Sequence, residues 1–224
     1  MPSTLHSEPA AGVLRRLHGE EAEQDENAFA EAGMSSSTEF PTHLDAHQRA
    51  DRFKDVFMSM ADEGGGLLHL MARTTGARTV VEYGTSFGVS TIYLACAVRD
   101  NGGGQVITTE LQEDKARRAQ QNFAAAGVDD LVQLRLGDAR ETLAELPDQV
   151  DVLLLDGWPD LALPVLRTVE PKLREGALVL LDDVDLDFGS DVHREFLDHV
   201  REPANGYQTL KLGVGDGVQA SVRL

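Results

Sequence analysis

Apolar runs of strand length alternate with amphipathic stretches of helical length from Thr79 to the end of the chain. The stretches between the runs carry apolar residues at helical spacing, as 111–126 does. Strands that alternate with helices form a parallel sheet covered on both faces, so the pattern predicts an α/β, doubly wound Rossmann-like fold. The first five runs begin at Thr79, Gln105, Val132, Asp151 and Ala177.

Two further strand-like runs close the chain, at 207–212 and 218–224. The segment that joins them, GVGDG, is rich in glycine. Two such runs with a short glycine-rich connection predict a β-hairpin.

The first 40 residues differ from the rest in charge. The stretch 19–33 carries six acidic residues and one aromatic residue. Low hydrophobicity with high negative charge is typical of segments that build no core of their own. We therefore predict an acidic N-terminal arm over 1–40, with room for one helix, and a domain over 41–224. The arm is also the expected contact surface of a homodimer.

Residues 41–75 have the pattern of lid or cap helices that precede the first strand. Thr42 is the candidate N-cap of an amphipathic helix that runs to Met60. Gly64–Gly66 are expected to end this helix, and a second one is expected to begin at Leu67.

Composition excludes several classes of protein. The 224 residues are enough for one α/β domain, and the single cysteine, Cys96, excludes a disulfide framework. A net charge of -18 counts against binding nucleic acid. No apolar run approaches the roughly 20 residues of a membrane span, and no signal peptide is evident, so we expect a cytoplasmic protein that binds no membrane.

A glycine turn follows the first strand, in the stretch TVVEYGTSFGVST from Thr79 to Thr91. Its pattern, Glu82-x-Gly84-x-x-x-Gly88, lacks the three glycines with which a dinucleotide fingerprint approaches a pyrophosphate. A ligand without phosphates suits such a turn. Other nucleotide-binding α/β domains and a purely structural turn remain alternatives at this point.

Carboxylates stand at the ends of the next two strands. Glu110 can accept both ribose hydroxyls of a nucleoside as charge-assisted hydrogen bonds. Asp138 is placed to lie near an adenine ring, with a loop-capping role as the alternative. Together with the glycine turn, which suits a ligand without phosphates, these spacings favour S-adenosylmethionine (SAM) over NAD as the cofactor.

Three further carboxylates end the fourth and fifth strands: Asp156, Asp182 and Asp183. Their mutual repulsion would be relieved by a hard divalent cation, and oxygen ligands favour Mg²⁺, Mn²⁺ or Ca²⁺ over zinc. A solvated acidic rim is the alternative.

These motifs resemble the class I SAM-dependent methyltransferases, and the pairing of LDGWPD (155–160) with LDDV (181–184) is similar to the catechol O-methyltransferase family. The resemblance runs from about Met58 to the C-terminus. It implies a seven-stranded sheet, mostly parallel with the last strand antiparallel, preceded by lid helices. It also implies methyl transfer from SAM to a hydroxyl of a small molecule, assisted by a divalent cation.

The resemblance assigns roles to individual residues. Asp156, Asp182 and Asp183 would be the metal ligands, and Asp156 and Asp182 would carry catalysis. The acceptor and the cofactor would both be lined by the lid segment that holds Met58 and Met60. The implied cofactor-binding residues are Met60, Glu82, Gly84, Thr85, Ser86, Gly88, Ser90, Glu110, Leu111, Asp138, Ala139, Asp156 and Trp158.

Three positions depart from the family pattern. The lysine that acts as general base in the family is Pro159 here, the asparagine of its DN pair is Asp183, and the histidine before the tryptophan is Gly157. A metal-independent O- or N-methyltransferase that uses His43 or His47 of the lid is therefore an alternative. A SAM-binding protein without turnover is another.

Overall fold

Seven strands form one sheet in the part of the chain that the structure describes, and they are β1 Thr79–Tyr83, β2 Gln105–Glu110, β3 Val132–Leu136, β4 Val150–Leu155, β5 Leu173–Leu181, β6 Tyr207–Leu212 and β7 Val218–Arg223. This computed structural model describes residues 3–24, 31–32, 41, 43–188 and 191–224. The order across the sheet is β3-β2-β1-β4-β5-β7-β6. The predicted doubly wound, seven-stranded fold is confirmed.

The first five strands run parallel, and β7 is antiparallel to both of its neighbours, β5 and β6. The chain leaves β1 toward β2 and returns on the other side of β1 at β4. In open sheets a ligand binds where the strand order reverses in this way, at the carboxyl ends of the strands. The topology therefore places the candidate site at the ends of β1 and β4.

Helices cover both faces of the sheet, and in the described residues they are α1 Ala10–Ala22, α2 Ala46–Arg52, α3 Asp62–Thr74, α4 Val89–Asp100, α5 Glu113–Ala126, α6 Ala139–Thr142, α7 Ala162–Val169 and α8 Arg194–Arg201. Helix α4 is buried along nearly its whole length, including Cys96. Within these described ranges, no helix combines the length and the apolar character that crossing a membrane requires.

The predicted end of a helix at Gly64–Gly66 is wrong, because these glycines lie inside α3. A Cβ atom on Gly65 would stand 2.4 Å from the ring of Tyr93 in α4. Gly65 therefore lets α3 and α4 approach closely, a gain in packing that offsets the low helix propensity of glycine.

Helix α2 is shorter than the predicted helix over 42–60. Asp45 is its N-cap and forms a capping box with Gln48, whereas Thr42 lies outside the described residues. After Arg52 the chain continues in turns and irregular backbone to Met60.

Helix α1 packs on the core with one apolar face. Leu14 and Leu17 are buried in the same cluster as the apolar residues of α4, and Thr4 and Ser3 bind Asp100 at the end of α4. The division into an arm over 1–40 and a domain over 41–224 stays a prediction, and residues 25–30 and 33–40 of the arm lie outside the described residues. The packing of α1 favours counting this helix as part of the domain.

We expect Leu17→Ala to lower the free energy of unfolding by about 3 kcal/mol, because its fully buried side chain would leave a cavity between α1 and the core. The matched control is Leu70→Ala, whose side chain is 60% exposed and whose loss should cost less than about 0.5 kcal/mol. Urea unfolding of both variants measures the difference. Equal, small effects would make α1 a dispensable arm.

Candidate functional site

A cavity of about 160 Å³ opens at the carboxyl ends of β1, β2 and β4, where the strand order reverses. Its floor comes from the strand ends, and one face of α2 lies over it with Ala46 and Ala50. Among the described residues its polar lining includes Ser86, Thr109, Glu110, Gln112, Lys115, Asp138, Asp156 and Asp183, and its apolar lining includes Phe53, Met58, Leu111, Trp158, Pro159 and Phe188.

The glycine turn lies directly against the end of β4. Gly84 has a φ of +98°, and a Cβ atom there would stand 2.2 Å from the carbonyl oxygen of Asp156. Only glycine permits both this conformation and this approach. At Gly157 close approach alone requires glycine, because a Cβ atom there would stand 2.4 Å from the ring of Tyr83.

Glu82 does not line the cavity, although it opens the glycine motif. Its carboxylate is fully buried and accepts hydrogen bonds from Thr91 and, at 2.5 Å, from Thr108. Burial raises its pKa. Its described hydrogen bonds join β1 to β2 and to α4. Glu82 therefore helps to hold the glycine turn in position from behind the cavity.

Glu110 faces the cavity with its carboxylate held by the backbone. Oε1 accepts the N–H groups of Leu111 and Gln112, both at 2.9 Å, and Oε2 accepts that of Ser86 at 2.8 Å. A carboxylate has about four acceptor sites, so these bonds leave about one for a ligand. The predicted acceptance of two ribose hydroxyls by Glu110 stays a prediction, and by this count of lone pairs it requires a second polar partner beside the carboxylate.

Asp138 combines the two roles considered for it. It caps α6 by accepting the Arg140 N–H at 2.9 Å, and it also lines the cavity. Hydrogen bonds and the charge of Arg140 lower the pKa of its carboxyl group. The ion pair with Arg140 fixes the orientation of the Asp138 carboxylate at the rim of the cavity.

The three carboxylates at the ends of β4 and β5 lie near one another. Burial and the charges of Asp182 and Asp183 raise the pKa of Asp156. Burial and Asp183 raise the pKa of Asp182 to about 7, and burial with Asp216 raises that of Asp183 to about 6. Asp183 has a φ of +62°, in the left-handed region. Within the described part of the chain no Lys, Arg or His forms an ion pair with these three groups.

The donor chemistry of this cluster fits a hard cation, because all its side-chain donors are carboxylate oxygens without a positive partner. The arrangement is not that of a formed metal site. Over the described ranges, no three His, Cys, Asp or Glu side chains form a group that could hold a metal ion. Asp156 and Asp183 line the cavity, and Asp182 is buried behind them.

Trp158 lies at the opening, between α2 and the turn that follows β4. Its ring is 5.9 Å from that of Phe53, and the guanidinium carbon of Arg49 stands 5.0 Å from its centroid. Arg49 also donates to both carboxylate oxygens of Asp160 at 3.0 Å. Pro159 begins a short 3-10 helix between them and is buried. The Arg49–Asp160 pair thus ties the lid helix to the β4 loop beside the cavity.

The structure brings together most of the residues predicted from the sequence. Lining the cavity are Gly84, Ser86, Glu110, Leu111, Asp138, Ala139, Asp156, Trp158 and Asp183. Outside its lining lie Met60, Glu82, Thr85, Gly88, Ser90 and Asp182. Met58, not Met60, is the lid methionine that reaches the cavity, since Met60 is buried in the core. His43 and His47 are exposed and do not line it.

Lys115 is a cavity residue that the sequence analysis did not single out. It lies in the first turn of α5 and is only 4% exposed. Its position, one residue before Ala116 and four before Ala119, puts it on the inward stripe of the helix. That spacing was the available signal for its orientation.

We expect Arg49→Met to loosen the lid, because it removes the ion pair with Asp160 and the contact with Trp158. Asp160 is partly exposed, so the loss should be smaller than the roughly 3–5 kcal/mol of a fully buried pair. Faster amide hydrogen exchange in α2, with exchange in the sheet unchanged, is the expected result. Lys54→Met, at an exposed position in the same segment, is the control. Unaltered exchange in α2 would contradict the role of the Arg49–Asp160 pair in holding this helix to the loop after β4.

Comparison with protein families matches residues 81–184 to a methyltransferase domain. Catechol O-methyltransferase B of Danio rerio is 31% identical over 140 residues, which are 59% of this chain and 52% of that protein. Catechol O-methyltransferase of Mycobacterium tuberculosis is 32% identical over 128 residues, 57% of each chain. The chain thus spans little more than half the length of these relatives.

Among solved structures, an O-methyltransferase from Bacillus cereus in complex with S-adenosylhomocysteine (SAH) shares the fold. The TM-score is 0.69 at 21% identity, over 98% of this chain and 94% of that one. At this identity the likeness shows the arrangement of the sheet and its helices.

Proposed function

We infer that this protein, by domain match and fold a class I SAM-dependent methyltransferase of the catechol O-methyltransferase kind, moves a methyl group from SAM to a hydroxyl of a small molecule. The family resemblance predicted from the motifs is confirmed. What we propose for this chain is the activity, methyl transfer, together with its cofactor, SAM, and its acceptor, a hydroxyl of a small molecule.

The observation that carries the proposal is the Glu110 carboxylate, fixed by three backbone N–H groups at the edge of the cavity. Such a preoriented acceptor suits a ribose hydroxyl. Asp138 and Trp158 provide a polar and an aromatic neighbour for the adenine ring. The glycine turn lacks the dinucleotide fingerprint that approaches a pyrophosphate, so it suits an adenosyl cofactor whose linkage contains no phosphate.

The chain contributes mainly alignment. Methyl transfer is an in-line displacement, so a rigid floor at Gly84 and a lid at α2 and Met58 serve to hold the donor and the acceptor oxygen in line and to exclude water. The acceptor must lose a proton, and Pro159 offers no group to take it. The acceptor that best suits a cation held by three carboxylates is a hydroxyl with neighbouring oxygens, because these oxygens can chelate the cation.

A divalent cation, Mg²⁺ before Mn²⁺ or Ca²⁺, is the finer part of the proposal. Asp156, Asp182 and Asp183 would hold it, and what supports this is their raised pKa values and their lack of positive partners among the described residues. A bound cation would lower the pKa of the acceptor hydroxyl. The metal-independent mechanism through His43 or His47 has the weaker support, since both side chains are exposed.

The test begins with calorimetry of SAM, SAH and NAD. Binding of SAH at micromolar affinity, with no NAD binding, is expected, and tighter binding of NAD would overturn the proposal. A panel of catechols with SAM then tests turnover in magnesium and in EDTA. Binding without turnover across the panel would favour the non-catalytic alternative. A cytoplasmic location and a homodimer through the N-terminal residues stay predictions.

A further inference from the structure

The ammonium group of Lys115 lies in the cavity with few protein partners. Its nearest described hydrogen-bond partner is the hydroxyl of Ser86, at 3.5 Å from Nζ. It forms no ion pair within the described ranges, and it stands 5.2 Å from the centre of the Phe87 ring. A buried cation with one long hydrogen bond is costly to the folded protein unless a ligand uses it.

The surroundings of Lys115 increase that cost. Arg118 packs on the same Phe87 ring, with its guanidinium carbon 4.1 Å from the centroid, so two cations lie close to one aromatic ring. Burial lowers the pKa of Lys115 to about 8, although the charge of Glu110 acts in the opposite direction. The lysine therefore stays mostly protonated at neutral pH and keeps its three donors.

Ser86 connects Lys115 with Glu110. The backbone N–H of Ser86 donates to Glu110 Oε2, while its side-chain oxygen faces the lysine ammonium. The acceptor and the donor thus stand on two sides of one residue, at one end of the cavity. Because Glu110 has about one free acceptor site, a ligand with two adjacent hydroxyls requires a second polar partner there.

We propose that Lys115 donates a hydrogen bond to a ribose hydroxyl of the bound cofactor and so completes, with Glu110, a site for a vicinal diol. One hydroxyl donates to the free site on Glu110, and the diol accepts from the lysine. This inference rests on the proposed function. It makes Lys115 a residue for cofactor affinity that the family motifs do not contain.

The test measures binding of three probes by calorimetry: SAH, 5′-methylthioadenosine and the 2′,3′-dideoxy analogue of SAH. Lys115→Met should weaken SAH and methylthioadenosine by the same factor, about tenfold to a hundredfold, because both carry the intact ribose. The dideoxy analogue should bind the variant and the native protein equally. Lys172→Met, which removes a partly exposed lysine directly before β5, is the matched control and should bind all three normally.

Three results would overturn the inference. A loss for SAH alone would assign Lys115 to the cofactor's carboxylate, an equal loss for the dideoxy analogue would make its effect structural, and no loss would remove it from the site. If Lys115→Met does not fold, as judged by its thermal transition, Lys115→Gln, which retains a donor, is measured with the same probes and should show a smaller but parallel loss. Failure of the native protein to bind SAH would instead refute the proposed function.

Discussion

Asp156→Asn should abolish cation-dependent turnover while SAH binding stays within about threefold of the native value. The substitution removes one of three carboxylates needed to hold the cation and leaves Glu110 untouched. It should also raise the melting temperature in EDTA, because it removes a buried carboxylate whose pKa is raised by burial and by the charges of Asp182 and Asp183. Native protein should gain melting temperature on addition of magnesium, and the variant should not.

The combination of greater stability with lost activity separates a cation site from a solvated acidic rim. Asp129→Asn makes the same change of charge at an exposed position and should alter neither property. Native protein that methylates its acceptor equally fast in EDTA and in magnesium would refute the role of the cation. Turnover would then depend on the chain's own groups alone.

Glu110→Ala should weaken SAH binding by more than a hundredfold, the second large effect. The loss has two sources, since the ribose loses its charged partner and the N–H groups of Ser86, Leu111 and Gln112 lose their shared acceptor. A hydrogen bond to a charged group contributes about 1.5–3 kcal/mol, and the released backbone of the turn adds to that figure. Calorimetry with SAH measures the sum.

A matched control lies three residues away, because Glu113→Ala removes an exposed carboxylate in the first turn of α5 and should leave SAH binding unchanged. Glu110→Gln separates the loss of the charge from the loss of the acceptor for the backbone. The amide oxygen of glutamine can still accept hydrogen bonds from the backbone N–H groups, but it carries no charge. This variant should bind SAH with intermediate affinity. Native-like affinity in Glu110→Ala would remove this residue from the cofactor site.

The central strands β1, β4 and β5 could be predicted from the sequence because each is a largely buried apolar run followed directly by a glycine or a carboxylate. The helices near the N-terminus could not be predicted equally well. The rule that glycine ends a helix failed at Gly64–Gly66, where the ring of Tyr93 requires the absence of a Cβ atom at Gly65. That ring is distant in sequence, so no local pattern reveals it. The acidic residues of the first 40 also obscured the apolar face of α1 around Leu14 and Leu17.

The site shows the same division. Strand-end carboxylates such as Glu110 and Asp156 were predictable, because parallel strands bring their carboxyl ends to one edge. Whether a motif residue faces the cavity or the core depends on its neighbours, and Glu82 turns inward to Thr108. The pairing of Arg49 with Asp160 joins residues 111 positions apart and has no sequence signature.

The position of β7 determines when the sheet can be completed during synthesis. This strand lies between β5 and β6, although it follows both in the chain. While a ribosome has made β6 but not yet β7, β6 has no neighbour with which to form hydrogen bonds, and the edge of β5 is open. Exposed strand edges of this kind favour association between nascent chains and binding by chaperones. Folding of this half of the sheet is therefore expected to follow translation of residue 223, while β1 to β4 can pair earlier.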